Sequence, residues 1–277
     1  MKFLVTGATG QLGKEVTRLL TDLNLNFTAY GSSELNILDK VKINKTFKKD
    51  QPDMVFHCAA YTAVDKAEDE GKEMNWAVNV QGTGNIAAAC KELDATMIYI
   101  STDYVFDGNG EAEYAEDDST NPQNEYGKAK LAGEKSVEQN LEKYYIIRTS
   151  WVFGAFGNNF VWTMKKLAET RDELKVVNDQ VGRPTWTKTL AEFMLHLAHT
   201  KPAYGIYHLS NDQTATWYDF AKEILKDNKI KIDPVTSEEF PQKAVRPNHS
   251  VMNLSKAKNT NFDILDWSVA LEQMLKN

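Results

Sequence analysis

The sequence predicts an α/β protein with a doubly wound parallel sheet, covered by helices on both faces, and a smaller C-terminal α/β lobe. Three observations favour this class. Apolar segments of strand length alternate with helical patterns over the first 150 residues. A glycine-rich turn follows the first strand candidate. After Trp151 the sequence pattern changes, and irregular stretches separate shorter helical patterns.

The strand candidates are apolar throughout, as strands buried on both faces of a sheet must be. They are 3–5, 27–30, 54–58, 96–100 and 144–147. The longest helical pattern between them runs from about residue 73 to 93, and Thr216 opens a later helix with a capping-box pattern. Parallel sheets bind ligands at the carboxyl ends of their strands, so we expect segments that follow a strand to face one shared site.

Length and charge narrow the class further. The 277 residues suffice for two unequal lobes, and we expect residues 1–150 to form one domain, to which parts of the later chain return, and 151–277 mainly the other. A net charge of −7 disfavours nucleic-acid binding. No apolar run reaches the roughly 18 residues of a membrane span, and the first apolar run is too short for a signal peptide. We therefore expect a cytoplasmic protein.

Gly7, Gly10 and Gly13 lie between the first strand candidate and the first helical pattern. A tight turn and a close approach to a pyrophosphate both exclude a Cβ atom, and a helix N-terminus favours an anion. The strand before and the helix after are the context that supports a Rossmann-like dinucleotide site. The alternative is a tight turn that binds no ligand.

The residues after the second strand bear on the choice of cofactor. Glu34 lies near the position where a carboxylate holds the ribose 2′-hydroxyl of NAD, whereas Ser32 and Ser33 suit a 2′-phosphate. This segment offers no arginine to clamp a phosphate. We expect a permissive site that uses NADPH, with NADH also plausible.

Thr102, Tyr126 and Lys130 are the parts needed to move a proton onto a carbonyl oxygen. Tyr126 and Lys130 are four residues apart, which places them on one face of a helix. Free tyrosine titrates near pH 10, and we expect the ammonium group of Lys130 to lower the pKa of the Tyr126 phenol. Thr102 follows the fourth strand and faces the same ligand. The alternative is a tyrosine–lysine pair on a surface helix.

Two further groups have plainer interpretations. Asp65, Glu68, Asp69 and Glu70 are expected to form a solvated face, and Trp217 is expected to pack in a core. The five histidines show no spacing typical of a metal site.

Longer motifs resemble the dTDP-4-dehydrorhamnose reductase family of the extended short-chain dehydrogenase/reductase superfamily. They are AAYTAVDKAE at 59–68, STDYVF at 101–106, YGKAKLAGE at 126–134, RTSWV at 148–152, GNNF at 157–160, NDQ at 178–180, PT at 184–185 and RP at 246–247. The resemblance implies reduction of the C4 keto group of dTDP-4-dehydro-L-rhamnose to dTDP-L-rhamnose, a precursor of polysaccharides. It also implies that 151–277 mainly binds the sugar nucleotide.

The resemblance assigns roles to individual positions. The catalytic residues are Thr102, Tyr126 and Lys130. The cofactor residues are Gly7, Gly10, Gln11, Leu12, Gly13, Asn36, Ile37, Ala60, Tyr61, Thr62, Tyr126 and Lys130. The substrate residues are Thr102, Asp103, Tyr104, Tyr126, Trp151 and Arg246, the last as an exposed cation for the diphosphate. Asn36 stands where the family often has aspartate, so contacts with the adenosine are expected to differ.

Other properties of the family stay open at this point. Some members pair through a magnesium ion held by glutamates, but Glu15 alone does not make such a site, so the metal, like the choice between monomer and homodimer, is undecided. Two rival functions share the motifs: a sugar-nucleotide epimerase or dehydratase, which returns the hydride, and a non-catalytic subunit like the regulatory subunit of methionine adenosyltransferase. A reductase consumes NADPH in each turnover, whereas neither of these rivals consumes it, so a measurement of NADPH loss distinguishes them.

Overall fold

A six-stranded parallel sheet forms the centre of the computed structural model, which describes residues 1–276. The strands in chain order are β1 Phe3–Thr6, β2 Phe27–Tyr30, β3 Met54–His57, β4 Thr96–Thr102, β5 Tyr144–Thr149, β6 Val152–Phe153, β7 Glu173–Val177, β8 Val181–Gly182, β9 Thr185–Trp186, β10 Gly205–His208, β11 Ala215–Thr216 and β12 Lys231–Val235. The central sheet has the order β10-β5-β4-β3-β1-β2. The other strands form three two-stranded pairs.

Helices connect and cover these strands. They are α1 Gln11–Asp22, α2 Lys40–Asp50, α3 Lys72–Trp76, α4 Thr83–Glu92, α5 Glu125–Asn140, α6 Phe160–Ala168, α7 Thr187–Thr200, α8 Trp217–Ile224, α9 Ser255–Lys258 and α10 Trp267–Lys276. The predicted capping box is present at the start of α8, where the Thr216 and Asp219 side chains cap each other's backbone. Within residues 1–276, no helix is both long and apolar enough to cross a membrane.

The five predicted strands are present as β1 to β5, and all their pairings in the central sheet are parallel. The sixth strand, β10, was not predicted. It pairs with β5 at the sheet edge and returns the chain to the first half of the fold. Only two of its four residues are apolar, because it begins with Gly205 and ends with His208, and so short a pattern does not predict a strand.

Each face of the sheet has its own hydrophobic core, which confirms the doubly wound α/β class. On one face Phe3, Val5 and Ile147 pack with residues of α1 and α7. On the opposite face Leu4 and Met97 pack with residues of α2, α4 and α5. The alternation of adjacent β1 residues between the two cores is the two-residue period of a strand buried on both sides.

A third core lies in the later part of the chain. It joins residues of α6, α8 and α10 with those of β7 and β9, and Phe220 is fully buried at its centre. Aromatic rings make up much of this core, since Phe153, Phe160 and Trp267 all pack against Phe220. These residues form a smaller α/β body beside the sheet, while α7 and β10 pack with the sheet itself.

The helix predicted from about residue 73 to 93 is present but not uniform. A π-helical turn at Ala77–Gly82 separates α3 from α4. This wide turn contains Asn79, which is fully buried and bonds to both backbone groups of Tyr61, at 3.1 Å and 3.0 Å. Turns of this kind are frequent at functional sites. Here the turn holds the loop after β3 in place.

Candidate active site

A cavity of about 620 Å³ opens at the carboxyl ends of the central strands. Its size is that of a site for a small molecule. Twelve of the predicted site residues line it, from both halves of the chain: Gly10, Gln11, Leu12, Ala60, Thr62, Thr102, Asp103, Tyr104, Tyr126, Lys130, Trp151 and Arg246. The chain ends of β3, β4 and β5 meet at its floor, as a parallel sheet requires.

The glycine turn places the N-terminus of α1 at this cavity. A Cβ atom at Gly7 would lie 2.6 Å from the Ala59 backbone nitrogen, and one at Gly13 would lie 2.1 Å from the Gly7 carbonyl oxygen. Both glycines shape the turn without lining the cavity. Helix α1 begins with no side-chain cap at Gly10 and no acidic residue in its first turn. Its free N–H groups and positive dipole end suit a phosphate group.

Asn36 and Ile37 lie outside the cavity lining. Asn36 is exposed and accepts a hydrogen bond from the Leu38 nitrogen, whereas the Ile37 side chain is buried in the sheet core. The Glu34 carboxylate accepts a hydrogen bond of 2.9 Å from the Gly31 nitrogen, so it closes the turn after β2. Ser32 and Ser33 are exposed beside it.

The loop after β3 is fixed by hydrogen bonds on the side that faces away from the cavity. Ala60 and Thr62 line the cavity, while the Tyr61 hydroxyl lies so close to Gly71 that a Cβ there would be 2.0 Å away. Asn79 fixes the Tyr61 backbone, and Asn75 carries the link onward by donating to the Glu125 carbonyl at 2.9 Å. Sequence patterns missed this pair; the signal was two asparagines four residues apart inside a helical pattern.

Thr102 and Tyr126 meet in the cavity. Thr102 ends β4, and its hydroxyl donates to the Asp103 carboxylate at 3.0 Å and accepts from the Tyr104 nitrogen at 3.2 Å. Tyr126 lies in the first turn of α5, which Asn124 caps by accepting from the Gly127 nitrogen. The Tyr104 ring meets the Tyr126 ring edge-on, with centroids 5.9 Å apart.

The expected lowering of the Tyr126 pKa is wrong. Burial raises the pKa of the Tyr126 phenol above its ordinary value, the negative charge of Asp103 adds to the rise, and Thr102 opposes it as a hydrogen-bonding neighbour. The Lys130 ammonium does not offset this rise. Its Nζ atom donates to the Ile100 carbonyl at 2.6 Å, so the ammonium group is engaged with β4. The phenol therefore keeps its proton at neutral pH.

Lys130 is itself strongly perturbed. It is 1% exposed, and its Nζ atom lies 4.1 Å from the centre of the Tyr99 ring. Burial lowers the pKa of Lys130 to about 7, and the nearby Glu134 carboxylate opposes the shift. Asp103 is buried beside the same cavity, and burial raises its pKa to about 6. Such perturbed groups in one cleft are typical of active sites.

Arg246 departs from the expected exposed cation. It lines the cavity but is already paired, because one guanidinium nitrogen donates to Asp65 at 2.8 Å and another to the Tyr104 hydroxyl at 2.9 Å. Asp65 also accepts from the Ala244 nitrogen at 3.1 Å, and Asp69 pairs with Lys243. The acidic segment is solvated at Asp69 and Glu70, as predicted, but it also ties the loop after β3 to residues 243–246.

Trp217 packs against the third core through Phe160 and Phe220, as predicted, and it also lines the cavity together with Trp151. Their rings stack with centroids 3.7 Å apart and an angle of 11° between the planes. Trp151 has a φ of 46°, a left-handed conformation that costs a bulky residue about 1–3 kcal/mol and clusters at functional sites. A Cβ at Gly182 would lie 2.7 Å from the Trp151 ring, so that glycine makes room for the stack.

Comparisons with known proteins agree with this geometry. The sequence model of one family, described as the RmlD substrate binding domain, matches residues 1–277. A crystal structure of a dTDP-4-dehydrorhamnose reductase from Clostridium acetobutylicum is 43% identical, with a TM-score of 0.96, and the match covers 100% of this chain and 99% of that one. This chain belongs to the dTDP-4-dehydrorhamnose reductase family. The resemblance found in the motifs is thereby confirmed.

Two further relatives bear on ligands and context. A dTDP-4-dehydrorhamnose reductase from Bacillus anthracis, solved in complex with NADP, is 37% identical with a TM-score of 0.95, and the match covers 99% of this chain and 98% of that one. The spore coat polysaccharide biosynthesis protein SpsK of Bacillus subtilis is 41% identical, with 99% and 97% covered. Both span the family fold from end to end.

The magnesium ion known in some family members does not fit the residues here. Glu15 is 1% exposed, and its carboxylate is paired with the Arg18 guanidinium and lies 3.5 Å from the Thr187 hydroxyl. Among residues 1–276, no three histidine, cysteine, aspartate or glutamate side chains are grouped as a metal site requires. The Arg18 guanidinium group is therefore already the counter-ion of the Glu15 carboxylate.

Proposed function

We propose that this chain uses NADPH to reduce the C4 keto group of dTDP-4-dehydro-L-rhamnose to dTDP-L-rhamnose, a precursor for polysaccharide synthesis. One observation carries the proposal. The uncapped N-terminus of α1 and the side chains of Thr102, Tyr126 and Lys130 converge on a single cavity. The site for an anionic dinucleotide and the proton-transfer groups thus lie in the same cavity. Carbonyl reduction requires this, because hydride and proton must reach the same carbonyl group.

The residues around the glycine turn fit a dinucleotide. Gly10, Gln11 and Leu12 line the cavity where α1 begins, and the N–H groups of Gln11 and Leu12 in its first turn are offered to the pyrophosphate. Ala60 and Thr62 line the nicotinamide side, and Lys130 faces the same region. When bound, the reduced nicotinamide supplies the hydride. The Bacillus anthracis relative, solved with NADP, supports NADPH as the preferred cofactor.

Tyr126 is the proton donor in this proposal. Its raised pKa keeps the phenol protonated, which is the form that a general acid needs. As the C4–H bond forms, the carbonyl oxygen becomes an alkoxide, and the Tyr126 O–H bond breaks to give it a proton. Thr102 orients the carbonyl oxygen with its hydroxyl. The Lys130 ammonium, after exchanging its hydrogen bond to the Ile100 carbonyl, stabilises the phenolate that is left. Hydride plus proton balances the reduction of a ketone to an alcohol.

The sugar nucleotide is assigned to the other side of the cavity. Asp103 and Tyr104 lie beside Thr102 and suit the sugar hydroxyls, and the Trp151 ring offers a flat face to the sugar. Arg246 is the cation placed for the diphosphate, to which it can donate after exchanging Asp65. We accordingly propose that residues 1–150 mainly bind the cofactor and 151–277 mainly bind the sugar nucleotide.

The proposal is tested by NADPH oxidation with a panel of dTDP-, UDP- and GDP-linked 4-keto-6-deoxy sugars. Stoichiometric NADPH loss with the dTDP-linked sugar is expected, whereas an epimerase, a dehydratase or a regulatory subunit would consume none. Tyr126→Phe removes the proton and is expected to lower kcat by about 10²–10⁴-fold while NADPH still binds. Near wild-type turnover by that variant would refute the assigned mechanism.

A further inference from the structure

Glu134 lies behind the active site, one helical turn after Lys130 on α5. It is 2% exposed and does not line the cavity. Its carboxylate accepts hydrogen bonds from the Arg148 Nε and Nη2 atoms at 3.0 Å and 2.8 Å, and from the Ser101 hydroxyl. Arg148 is 3% exposed on β5. This is a fully buried ion pair with fork-like geometry, and nothing in the assigned reaction uses it so far.

The pair sits where α5 is fixed against β4. Glu134 contacts Ser101, Lys130 contacts the Ile100 carbonyl, and a Cβ at Gly133 would lie 2.5 Å from the Tyr99 hydroxyl. Successive residues of the strand therefore meet the same stretch of helix. A slip of α5 along β4 would carry Tyr126 away from Thr102, so these contacts set the distance between proton donor and substrate oxygen.

The charge of Glu134 acts on Lys130. The charged and titratable neighbours of Lys130 are His57 on β3, Tyr99 on β4, Glu134 on α5 and, through Glu134, Arg148 on β5. Tyr126 precedes Lys130 by one turn of α5. Burial and Lys130 lower the pKa of His57 to about 3, so that ring is neutral. Burial likewise keeps Tyr99 protonated. Glu134 thus supplies the negative charge that opposes loss of the Lys130 proton.

We propose that Glu134, held by Arg148, is a positioning residue that registers α5 against β4 and keeps Lys130 in its ammonium form. The inference rests on the proposed function for its effect on turnover. Removing the carboxylate leaves Lys130 and Arg148 as two buried cations without a counter-ion. Arginine does not deprotonate in proteins, so Lys130 must release its proton instead.

The charge logic predicts opposite effects for the two partners. Glu134→Gln is expected to move the ionisation of Lys130 to lower pH by at least one unit, and Arg148→Met to move it to higher pH. The measurement is NMR of ¹³Cε-labelled lysine in the ligand-free protein, with the Lys130 signal assigned by Lys130→Arg. The pH dependence of kcat/KM should shift in the same two directions.

Glu272→Gln makes the same change of charge on exposed α10 and should shift nothing. Shifts of equal sign in the two buried variants, or none, would overturn the proposal, because a packing role alone lowers activity equally at every pH. If Glu134→Gln does not fold, Glu134→Asp withdraws the carboxylate and should give a smaller downward shift. A wild-type chain inactive on all keto sugar nucleotides would defeat the proposed function, while the NMR shifts still decide this inference.

Discussion

Lys130 carries an ammonium group in a place where burial opposes its charge. An unfolded lysine titrates near pH 10.4, whereas the folded pKa is lowered to about 7. Between these two values the unfolded chain binds a proton that the folded chain does not. Stability therefore rises with pH across this window, and the destabilising contribution of Lys130 is fully present below about pH 7.

Lys130→Met should for this reason be more stable than the wild type at pH 7. The methionine fills a similar volume without a charge, and the gap should shrink by up to about 1.4 kcal/mol per pH unit as the pH rises toward 9.5. Urea unfolding of the ligand-free wild type and of Lys130→Met at pH 7, 8 and 9 measures this difference in the free energy of unfolding. A gap that stays constant or widens with pH would contradict the lowered pKa.

The sequence predicted the members of the catalytic set but not their electrostatics. Thr102, Tyr126 and Lys130 were found because a strand end and an i,i+4 spacing are local features of the chain. The direction of the Tyr126 pKa shift depends on burial and on Asp103, and so on packing that the sequence does not display. The pairing of Arg246 with Asp65 joins residues 181 positions apart, and no local pattern reports it.

Helix α5 packs closely against the π-helical turn and the segment that follows β4 because two of its positions are glycine. A Cβ at Gly133 would lie 2.4 Å from the Asn79 carbonyl oxygen, which is backbone and has little freedom to move. A Cβ at Gly127 would lie 2.2 Å from the Tyr104 carbonyl oxygen. The helix that carries the proton donor can therefore pack this closely only because these two positions have no Cβ atom.

Gly133→Ala should push α5 away from β4 and the π-helical turn. Overpacking of this kind costs about 1–3 kcal/mol of stability, and the displaced Tyr126 should lower kcat more than it changes the affinity for NADPH. Gly84→Ala is the matched control, because its Cβ would meet the Ser136 hydroxyl, the movable end of a side chain. Equal losses of kcat in both variants would argue against this role for Gly133.

Elements with a regular pattern were predicted well, and elements made by distant contacts were not. Strands β1 to β5 are short, mainly apolar runs. Strand β10 exists because it pairs with β5, and the π-helical turn exists because Asn79 reaches the Tyr61 backbone. The core packing of Trp217 was predicted because it opens an amphipathic helix, whereas its place in the cavity lining depends on its stacking with the distant Trp151.

At the scale of the whole molecule, the Glu15–Arg18 pair disfavours binding of a metal ion at Glu15. The carboxylate is buried and neutralised within its own helix, so a divalent cation would have to displace a guanidinium group to bind.

Activity should accordingly be insensitive to magnesium. Treatment with EDTA followed by addition of Mg²⁺ is expected to change kcat/KM for NADPH oxidation by less than about twofold, since no step assigned to the cavity residues uses a metal. Sedimentation in the same buffers shows whether the ion changes the assembly. A large loss with EDTA that Mg²⁺ restores would refute this reading of Glu15.

The ties from Asp65 and Asp69 to residues 243–246 have a consequence for how such an enzyme can change over evolution. The loop beside the proposed nicotinamide site and the cation proposed for the substrate are built as one unit from distant parts of the chain. Recombination near residue 150 would separate the acidic partners from their basic ones and β10 from β5. New sugar specificities in this scaffold are therefore expected to arise by paired substitutions across the cleft rather than by exchange of C-terminal halves between relatives.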